Sequence, residues 1–521
     1  EFGTAGMRGI LGAGTNRLNI YVIQKANVGF AKYIASLPEG KERGVAIGYD
    51  NRHMSYKFAI ESAKVLATYG IKSYIFESLR PTPELSFAVR HLKCAGGIMI
   101  TASHNPKEHN GYKVYDDTGC QLLPEAADQV VQYVNEVEDE LNIKVFSDEE
   151  AYPYMTWIGE EVDEAYYKEV MAIEVNPGMD KSDFKIVFSP QHGTSNIAVR
   201  TCLTRLGYDL VPVLAQCAPD PDFSNTKSPN PEVPASYELA IKKAKEVDAD
   251  VVVITDPDGD RLGVVAKHNG EYVLMSGNQS AAVYLEYILS QMKEKGTLPD
   301  NAVMYNTIVT SDLGELVARS YGVDVEKTLT GFKFIGDKIR KYEQTHEKTF
   351  VFGYEESYGC VIKDFVRDKD AVQAVLTAAE AGNFYKKQGK DLVDVLNELY
   401  AKHGTFKETQ IALSKAGAAG AARIKEIMDN LRKDAPQEIG GVKVVKVEDY
   451  GNSTCSDGTT IQLPKSNVLK YYLEDGSWIA ARPSGTEPKC KFYFSIKGSD
   501  ADDAASKTEV FHKAMMEIIG E

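Results

Sequence analysis

The stretch Val251-Val252-Val253-Ile254-Thr255-Asp256-Pro257-Asp258-Gly259-Asp260-Arg261 runs the strongest predicted strand of the chain into its densest acidic loop. A run of β-branched residues with no polar alternation is the pattern of a strand covered on both faces, as in the sheet of an α/β domain. Asp256, Asp258 and Asp260 alternate with Pro257 and Gly259. At a strand end, alternate residues point the same way, so three carboxylates can converge on one hard cation. Held that close, they raise one another's pKa unless a metal neutralises them. An EF-hand loop needs glycine at its sixth place and glutamate at its twelfth, and here those places hold Arg261 and Lys267. Mg2+ is the expected ion, because only three carboxylates are offered and a further oxygen can come from a phosphate.

Outward from this strand, strands and helices alternate through most of the chain, which predicts α/β architecture. Upstream lie a predicted strand at 185–189, a helix over about 195–206, a strand at 208–214, a Pro-rich loop at 218–234 and a helix at 236–246. A comparable cycle comes earlier: a strand at 45–50, an amphipathic helix at 58–69, a strand at 71–76, a break at Pro81-Thr82-Pro83, and a helix leading to the apolar run Gly97-Ile98-Met99-Ile100. A third cycle runs from 302 to about 400, with a turn at Thr330-Gly331-Phe332-Lys333 and a strand at 349–352. From about Gly404 the pattern changes. An Ala-rich helix at 418–432 and strands at 441–447, 467–473, 477–482 and 490–496 predict an α+β terminal unit. The three cycles have comparable lengths but share no residue-level repeat.

A chain of 521 residues is too long for one core and predicts three or four domains. Its apolar fraction of 43% and charged fraction of 26% are those of a soluble globular protein. No apolar run approaches the roughly 18 residues that cross a bilayer, and no signal-type segment opens the chain. It begins almost inside a motif, at Glu1-Phe2-Gly3-Thr4, so a natural N-terminal helix is expected to precede it. Seven cysteines without paired spacing predict free thiols in a reducing cytoplasm. A formal charge of −16 argues against nucleic acid and anionic membranes as partners. An anionic small substrate then requires basic residues gathered in one cleft. The motifs carry Arg8, His104, Lys113, Arg261 and Arg482 for that purpose.

Three further segments carry chemistry. Thr101-Ala102-Ser103-His104-Asn105-Pro106 follows an apolar strand and sets a hydroxyl beside an imidazole. A serine there can act as nucleophile or as phosphate carrier, and it needs help from a base or a cation. His104 and Lys113 are the local candidates for proton transfer and charge stabilisation. The G-x-S-x-G elbow is absent. No G-x-x-x-x-G-K-[ST] occurs, so a nucleoside triphosphate is not the expected donor. Gly353-Tyr354-Glu355-Glu356-Ser357-Tyr358-Gly359 suits hydrogen bonding to sugar hydroxyls; if extended, it puts Glu355 and Ser357 on one side. Arg482-Pro483-Ser484-Gly485-Thr486-Glu487-Pro488 makes a phosphate nest. The arginine can bind bidentately and Gly485 lets N–H groups turn inward, with charge added by Lys489 and Lys491.

In this order, together with Phe2-Gly3-Thr4-Ala5-Gly6-Met7-Arg8-Gly9 at the start, these motifs resemble the α-D-phosphohexomutase family of phosphoglucomutases and phosphomannomutases. The likeness is strongest to the branch that holds the second type of phosphoglucomutase and the phosphopentomutases. The resemblance implies three related mixed-sheet α/β domains and a smaller α+β domain like the TATA-binding-protein fold, around a central cleft. It divides the chain at 1–165, 166–276, 277–402 and 403–521.

The same resemblance implies that Ser103 cycles between free and phosphorylated forms and joins Asp256, Asp258 and Asp260 around one Mg2+. Arg8 and Arg261 would lie beside the phosphoserine, and Lys113 would be the acid/base lysine with His104 near it. Lys333, Lys369, Glu355 and Ser357 would contact the sugar. Arg482, Ser484, Gly485, Thr486 and Lys489 would hold the phosphate that is not reacting. His192 stands where some members carry histidine and others do not. The implied reaction converts glucose 1-phosphate to glucose 6-phosphate through glucose 1,6-bisphosphate, in a monomer or dimer. Tyr354 departs from the family's usual residue, which keeps the pentose and mannose phosphates open as substrates. A serine phosphatase and a non-catalytic phosphoprotein are the rival classes.

Overall fold

The computed structural model describes residues 2–3, 6–484 and 488–521. The chain divides into two compact units. One holds the residues up to 305 with 322–324 and 331–395; the other holds 306–321, 325–330 and 396–521.

Among the described residues, the first unit is built on mixed sheets. A six-stranded sheet runs Gly6–Ile10, His109–Tyr115, Gly96–Ile100, Val45–Tyr49, Ser73–Phe76, Met155–Ile158. Its Val45–Tyr49 centre is parallel to both neighbours, while His109–Tyr115 returns antiparallel beside Gly96–Ile100. A five-stranded sheet runs Glu271–Met275, Leu262–His268, Val251–Thr255, Lys185–Ser189, Asp209–Pro212. A third sheet has the order Asp324–Thr328, Ala302–Thr307, Thr349–Glu355, Gly359–Val361, and the division between units runs through its first two strands. The uniformly apolar strands are buried along their whole length, as at Val251–Thr255 and Gly96–Ile100, because helices cover both faces of such sheets. Ile98 and Ile100 pack with Phe30, Ile34, Phe58 and Leu66 of the covering helices in one core.

The second unit carries an antiparallel sheet ordered Thr405–Ser414, Lys489–Gly498, Trp478–Pro483, Leu469–Leu473, Val442–Asp449, Glu438–Ile439. Ile424, Ile427 and Leu431 of helix Gly417–Lys433, and Phe511, Met515 and Ile519 of helix Ala501–Ile519, pack with Tyr471, Ile479, Phe492 and Phe494. The expected α+β terminal unit is therefore present. The strand Thr405–Ser414 and the helix Ala501–Ile519 were not foreseen. Among the described residues no helix is long and apolar enough to cross a membrane, and the seven cysteines are free.

The helices of the first unit meet around buried carboxyls, and this makes stability pH-dependent. Glu380, 2% exposed, accepts from Val175 N and Tyr287 Oη at 2.9 and 2.7 Å, while its Oε2 has no hydrogen-bond partner. Burial pushes its pKa up to about 7, and burial likewise lifts Asp370 to about 6. A carboxyl raised in the folded state contributes stability that is full below its unfolded pKa and lost as pH rises through the folded one. We expect the melting temperature to fall between pH 5 and 8 for this reason. Glu380→Gln, which keeps the Oε1 acceptor, should flatten that slope by up to about 3 kcal/mol of stability at pH 8. Calorimetric scans across this range test it, and an unchanged slope in the variant would contradict the assignment.

Candidate active site

Ser103, Asp256 and Glu355 all stand at the carboxyl ends of strands, where loops of open α/β sheets place their ligands. The strand Gly96–Ile100 ends in a tight loop in which Ser103 takes a left-handed backbone, φ 53°. That conformation is strained for a residue with a side chain and is retained where the surroundings enforce it. Ser103 N donates to Thr101 Oγ1 at 2.8 Å. Its hydroxyl, in a residue only 2% exposed, donates to Asp256 Oδ2 at 2.9 Å and lies 3.3 Å from His104 Nδ1. Burial, with the nearby charges of Arg261 and Arg8, drives the His104 pKa down to about 2. The imidazole is therefore neutral. Arg8, at the surface, donates to Asn105 Oδ1 at 2.9 Å.

The acidic loop is pinned by its own carbonyls. Thr194 N donates to Pro257 O at 2.8 Å, Thr82 N to Asp258 O at 2.7 Å, and Ala371 N to Gly259 O at 3.1 Å. Thr82 and Ala371 are the first residues of helices Thr82–His91 and Ala371–Lys386, so two positive helix ends face this loop. Gly259 is needed in the turn because its φ is +69°. The Asp256, Asp258 and Asp260 carboxylates are buried and gather within 4.8 Å of one another. Asp256 Oδ1 accepts from the amides of Asp260 and Arg261. Asp258 Oδ2 accepts from Thr82 Oγ1 at 2.7 Å and from Lys113 Nζ at 3.3 Å. Asp258 Oδ1 and Asp260 Oδ1 are buried with no hydrogen-bond partner. Orphaned anionic oxygens at the centre of such a cluster fit a hard divalent cation. Burial and its two acidic neighbours raise the Asp256 pKa. Burial acts the same way on Asp258, but Lys113, Asp256, Thr82 and Lys369 outweigh it and hold that carboxyl well below its ordinary range.

Cations and acids alternate away from this centre. Lys113, on His109–Tyr115, reaches Asp258 and also lies 3.9 Å from Asp260. Lys369 Nζ is 3.4 Å from Asp260, 3.4 Å from Asp368 and 3.8 Å from Glu355. Arg261 Nη1 pairs with Glu232 at 3.1 Å while its Nε is 4.0 Å from Asp260. Glu355 Oε1 accepts from Gly331 N at 2.9 Å, at the start of the helix Phe332–Thr345 that carries Lys333. The Lys333 ammonium lies over the Phe334 ring, 5.4 Å from its centroid.

The condition under which Glu355 and Ser357 would share a side, an extended stretch, is not met. The strand ends at Glu355, residues 356–358 turn with Tyr358 at φ 68°, and Glu355 pairs with Gly359 across the hairpin. His192 acts through the backbone. Its Nδ1 donates to Ala218 O at 2.8 Å and its Nε2 accepts from Asn225 N at 3.2 Å, which fixes a neutral tautomer and ties down the 218–226 loop. That loop and the one at 104–108 border an open cleft of about 560 Å³.

In the second unit, Arg482 is the penultimate residue of the strand Trp478–Pro483, opposite Lys491 across the sheet, with Nη1 3.5 Å from Tyr493 Oη. Ser484 N donates to Lys489 O at 2.7 Å and closes the hairpin. Gly485 and Thr486, expected in the phosphate nest, lie outside the described residues.

Two residues of the first unit were missed by sequence reasoning. Thr82 orients Asp258, and its only signal is its place between two prolines. Arg52 lies fully buried beneath the Ser103 loop and reads in sequence as part of a polar turn.

Comparison with known proteins covers the whole length. Models of the phosphoglucomutase/phosphomannomutase domains match in order: α/β/α domain I at 1–141, domain II at 164–270, domain III at 276–403, and the C-terminal domain at 421–513. A protein of Staphylococcus epidermidis named phosphoglucomutase is 40% identical over 515 residues, 97% of this chain and 92% of that one. Among solved structures, the fold is shared with parafusin, a phosphoglucomutase of Paramecium in an open form, at TM-score 0.73 and 20% identity, covering 100% and 95% of the two chains. It is also shared with Aspergillus fumigatus N-acetylphosphoglucosamine mutase in complex with GlcNAc-6P and magnesium, at TM-score 0.51 and 13% identity, covering 84% and 92%.

Proposed function

The chain belongs to the phosphoglucomutase/phosphomannomutase family, and from that premise we propose that it interconverts glucose 1-phosphate and glucose 6-phosphate through a phosphorylated Ser103. The observation that carries this reading is the Ser103 hydroxyl 2.9 Å from Asp256, in a cluster where Asp258 Oδ1 and Asp260 Oδ1 are buried without a hydrogen-bond partner. A serine hydroxyl buried against carboxylates is a poor nucleophile toward carbon. Once the acids are neutralised by a cation, it is well placed to carry a phosphoryl group.

Asp256, Asp258 and Asp260, with an oxygen on Ser103, would hold one Mg2+, which when bound offsets the negative charge of the transferring phosphoryl group. The residues do the rest. In the first half-reaction the Oγ–P bond of phospho-Ser103 breaks and a bond forms from phosphorus to the free hydroxyl of the sugar monophosphate. Lys113, the acid/base lysine that the family resemblance implies, handles the proton that the hydroxyl loses, with His104 beside the Ser103 oxygen. Lys113, Arg261 and Arg8 face the oxygens on which negative charge gathers. The released glucose 1,6-bisphosphate turns over within the cleft and returns its other phosphoryl group to Ser103. Glu355 reads ring hydroxyls, with Lys369 beside it. The family resemblance gives Lys333 a contact to the sugar, and gives Arg482, Ser484 and Lys489 the binding of the phosphate that is not reacting. The bisphosphate is thus also the priming activator. The seven reduced thiols suit a cytoplasmic enzyme.

A coupled assay for glucose 6-phosphate, run with Mg2+ and catalytic bisphosphate, tests the reading. The expected result is turnover with glucose 1-phosphate at a higher kcat/KM than with ribose 1-phosphate or mannose 1-phosphate. Release of free phosphate without isomer product would instead indicate a phosphatase.

A further inference from the structure

We propose that Arg52 is a positioning residue for the nucleophile, a guanidinium that holds the Ser103 loop in the geometry that aims its hydroxyl at Asp256. The inference rests on Ser103 being the phosphate carrier. Arg52 Nη2 donates to Ser103 O and Asn105 O, both at 2.6 Å, and Nη1 to Pro106 O at 2.8 Å and His109 O at 3.2 Å. Its Nε lies 3.2 Å from Asp50 Oδ2, and both side chains are 0% exposed. Arginine has five N–H donors in one rigid plane. Here four go to backbone carbonyls of the segment from Ser103 to His109 and the fifth faces the carboxylate that balances the charge. Asp50 is itself oriented by Ser55 Oγ at 2.6 Å and by Arg52 N at 2.9 Å.

This arrangement supplies what the loop lacks. A left-handed serine is disfavoured locally by roughly 1–2 kcal/mol, so something must hold it there. Ser103 O, the carbonyl next to the strained dihedral, is one of the four oxygens that Arg52 binds. Remove the donors and the loop loses the contacts that select this backbone, and the hydroxyl moves with it. The same segment also sets the loop against the part of the chain that carries the acids. The Phe223 ring lies 5.2 Å from the Arg52 guanidinium, Asn51 Nδ2 donates to Asp220 O at 2.8 Å, and His53 Nε2 is 3.0 Å from Asp222 Oδ1. Lys107 Nζ, on the serine loop, is 3.7 Å from that same Asp222 oxygen. His192 holds the 218–226 loop from its other side. Residues 51–53 thus register the loop of the nucleophile to the domain of the metal ligands.

Lysine at 52 keeps a cation beside Asp50 but has only three donors on a flexible stem. Arg52→Lys is therefore expected to fold with a melting temperature near that of the wild type. Its KM for glucose 1-phosphate should stay within about twofold while kcat falls by about 100-fold, the effect of a reacting group displaced by roughly an ångström. Phosphorylation of Ser103 by glucose 1,6-bisphosphate, followed by mass spectrometry, should slow in parallel. In Arg52→Gly, millimolar guanidinium chloride should restore kcat by about tenfold or more, and ammonium chloride at equal ionic strength should not. A kcat for Arg52→Lys within about threefold of wild type overturns the proposal, as does a loss confined to KM. Equal rescue by ammonium overturns it too. If Arg52→Gly does not fold, the Arg52→Lys kinetics decide alone. Wild-type protein is assayed in parallel: if it too fails to turn over, the functional reading is at fault and not this one.

Discussion

Ser103→Ala is expected to lose turnover by a factor on the order of 10⁴ or more while staying folded. The hydroxyl is the only atom removed. Its partners are Asp256 Oδ2 and the His104 ring, so no packing contact of the fold depends on it. Alanine is smaller than serine and introduces no clash. The variant leaves the acids, Lys113 and the sugar-reading residues in place, so substrate should still bind. Two readouts separate the phosphocarrier role from a merely polar one. In the coupled assay the variant should give no isomer product. After incubation with glucose 1,6-bisphosphate, the wild type should gain the mass of one phosphate on the peptide carrying residue 103, and the variant should gain none. Near-wild-type rates, or a phosphate appearing on another residue of an active variant, would falsify the assignment of Ser103.

Much of this site is readable in sequence because its parts are local. The acidic loop announces itself through a β-branched strand that stops at alternating aspartates, and the structure gathers those three carboxylates. The serine loop is legible for the same reason. What sequence cannot supply is the 2.9 Å between Ser103 and Asp256, which are 153 positions apart on different sheets. Arg52 was missed because an arginine in a polar turn is normally solvated. Its burial comes from carbonyl oxygens, which every residue type shares.

The two-residue period that would put Glu355 and Ser357 on one side holds only while the strand continues, and the strand ends at Glu355. In the second unit, Thr405–Ser414 hides its alternation behind the polar run Lys407-Glu408-Thr409-Gln410. Helix Ala501–Ile519 buries Ala504, Thr508, Phe511, Met515 and Ile519, a stripe whose first members are small or polar. The family resemblance supplied the expected roles of Lys333 and Lys369, which spacing alone does not indicate.

Asp258→Asn tests the other half of the site, and its expected effect is nearly as large. Asp258 is fully buried and its two oxygens have different tasks. Oδ2 is fixed by Thr82 and Lys113, while Oδ1 is left without a partner beside the equally unpartnered Asp260 Oδ1. Asparagine preserves size and can keep its oxygen toward Thr82. Its amide N–H groups then point where a cation would sit, and an N–H donor cannot ligate a cation. One negative charge is also lost from a site that opposes it with Lys113 and Lys369. The Mg2+ concentration for half-maximal activity should therefore rise by about 100-fold or more, with kcat falling even at saturation. A ligand that binds only the folded state raises the melting temperature as its concentration passes the dissociation constant. Millimolar Mg2+ should thus stabilise the wild type and leave Asp258→Asn unmoved, a readout that needs no substrate. An identical Mg2+ titration and an identical thermal shift in the two proteins would mean that the three aspartates do not form the metal site.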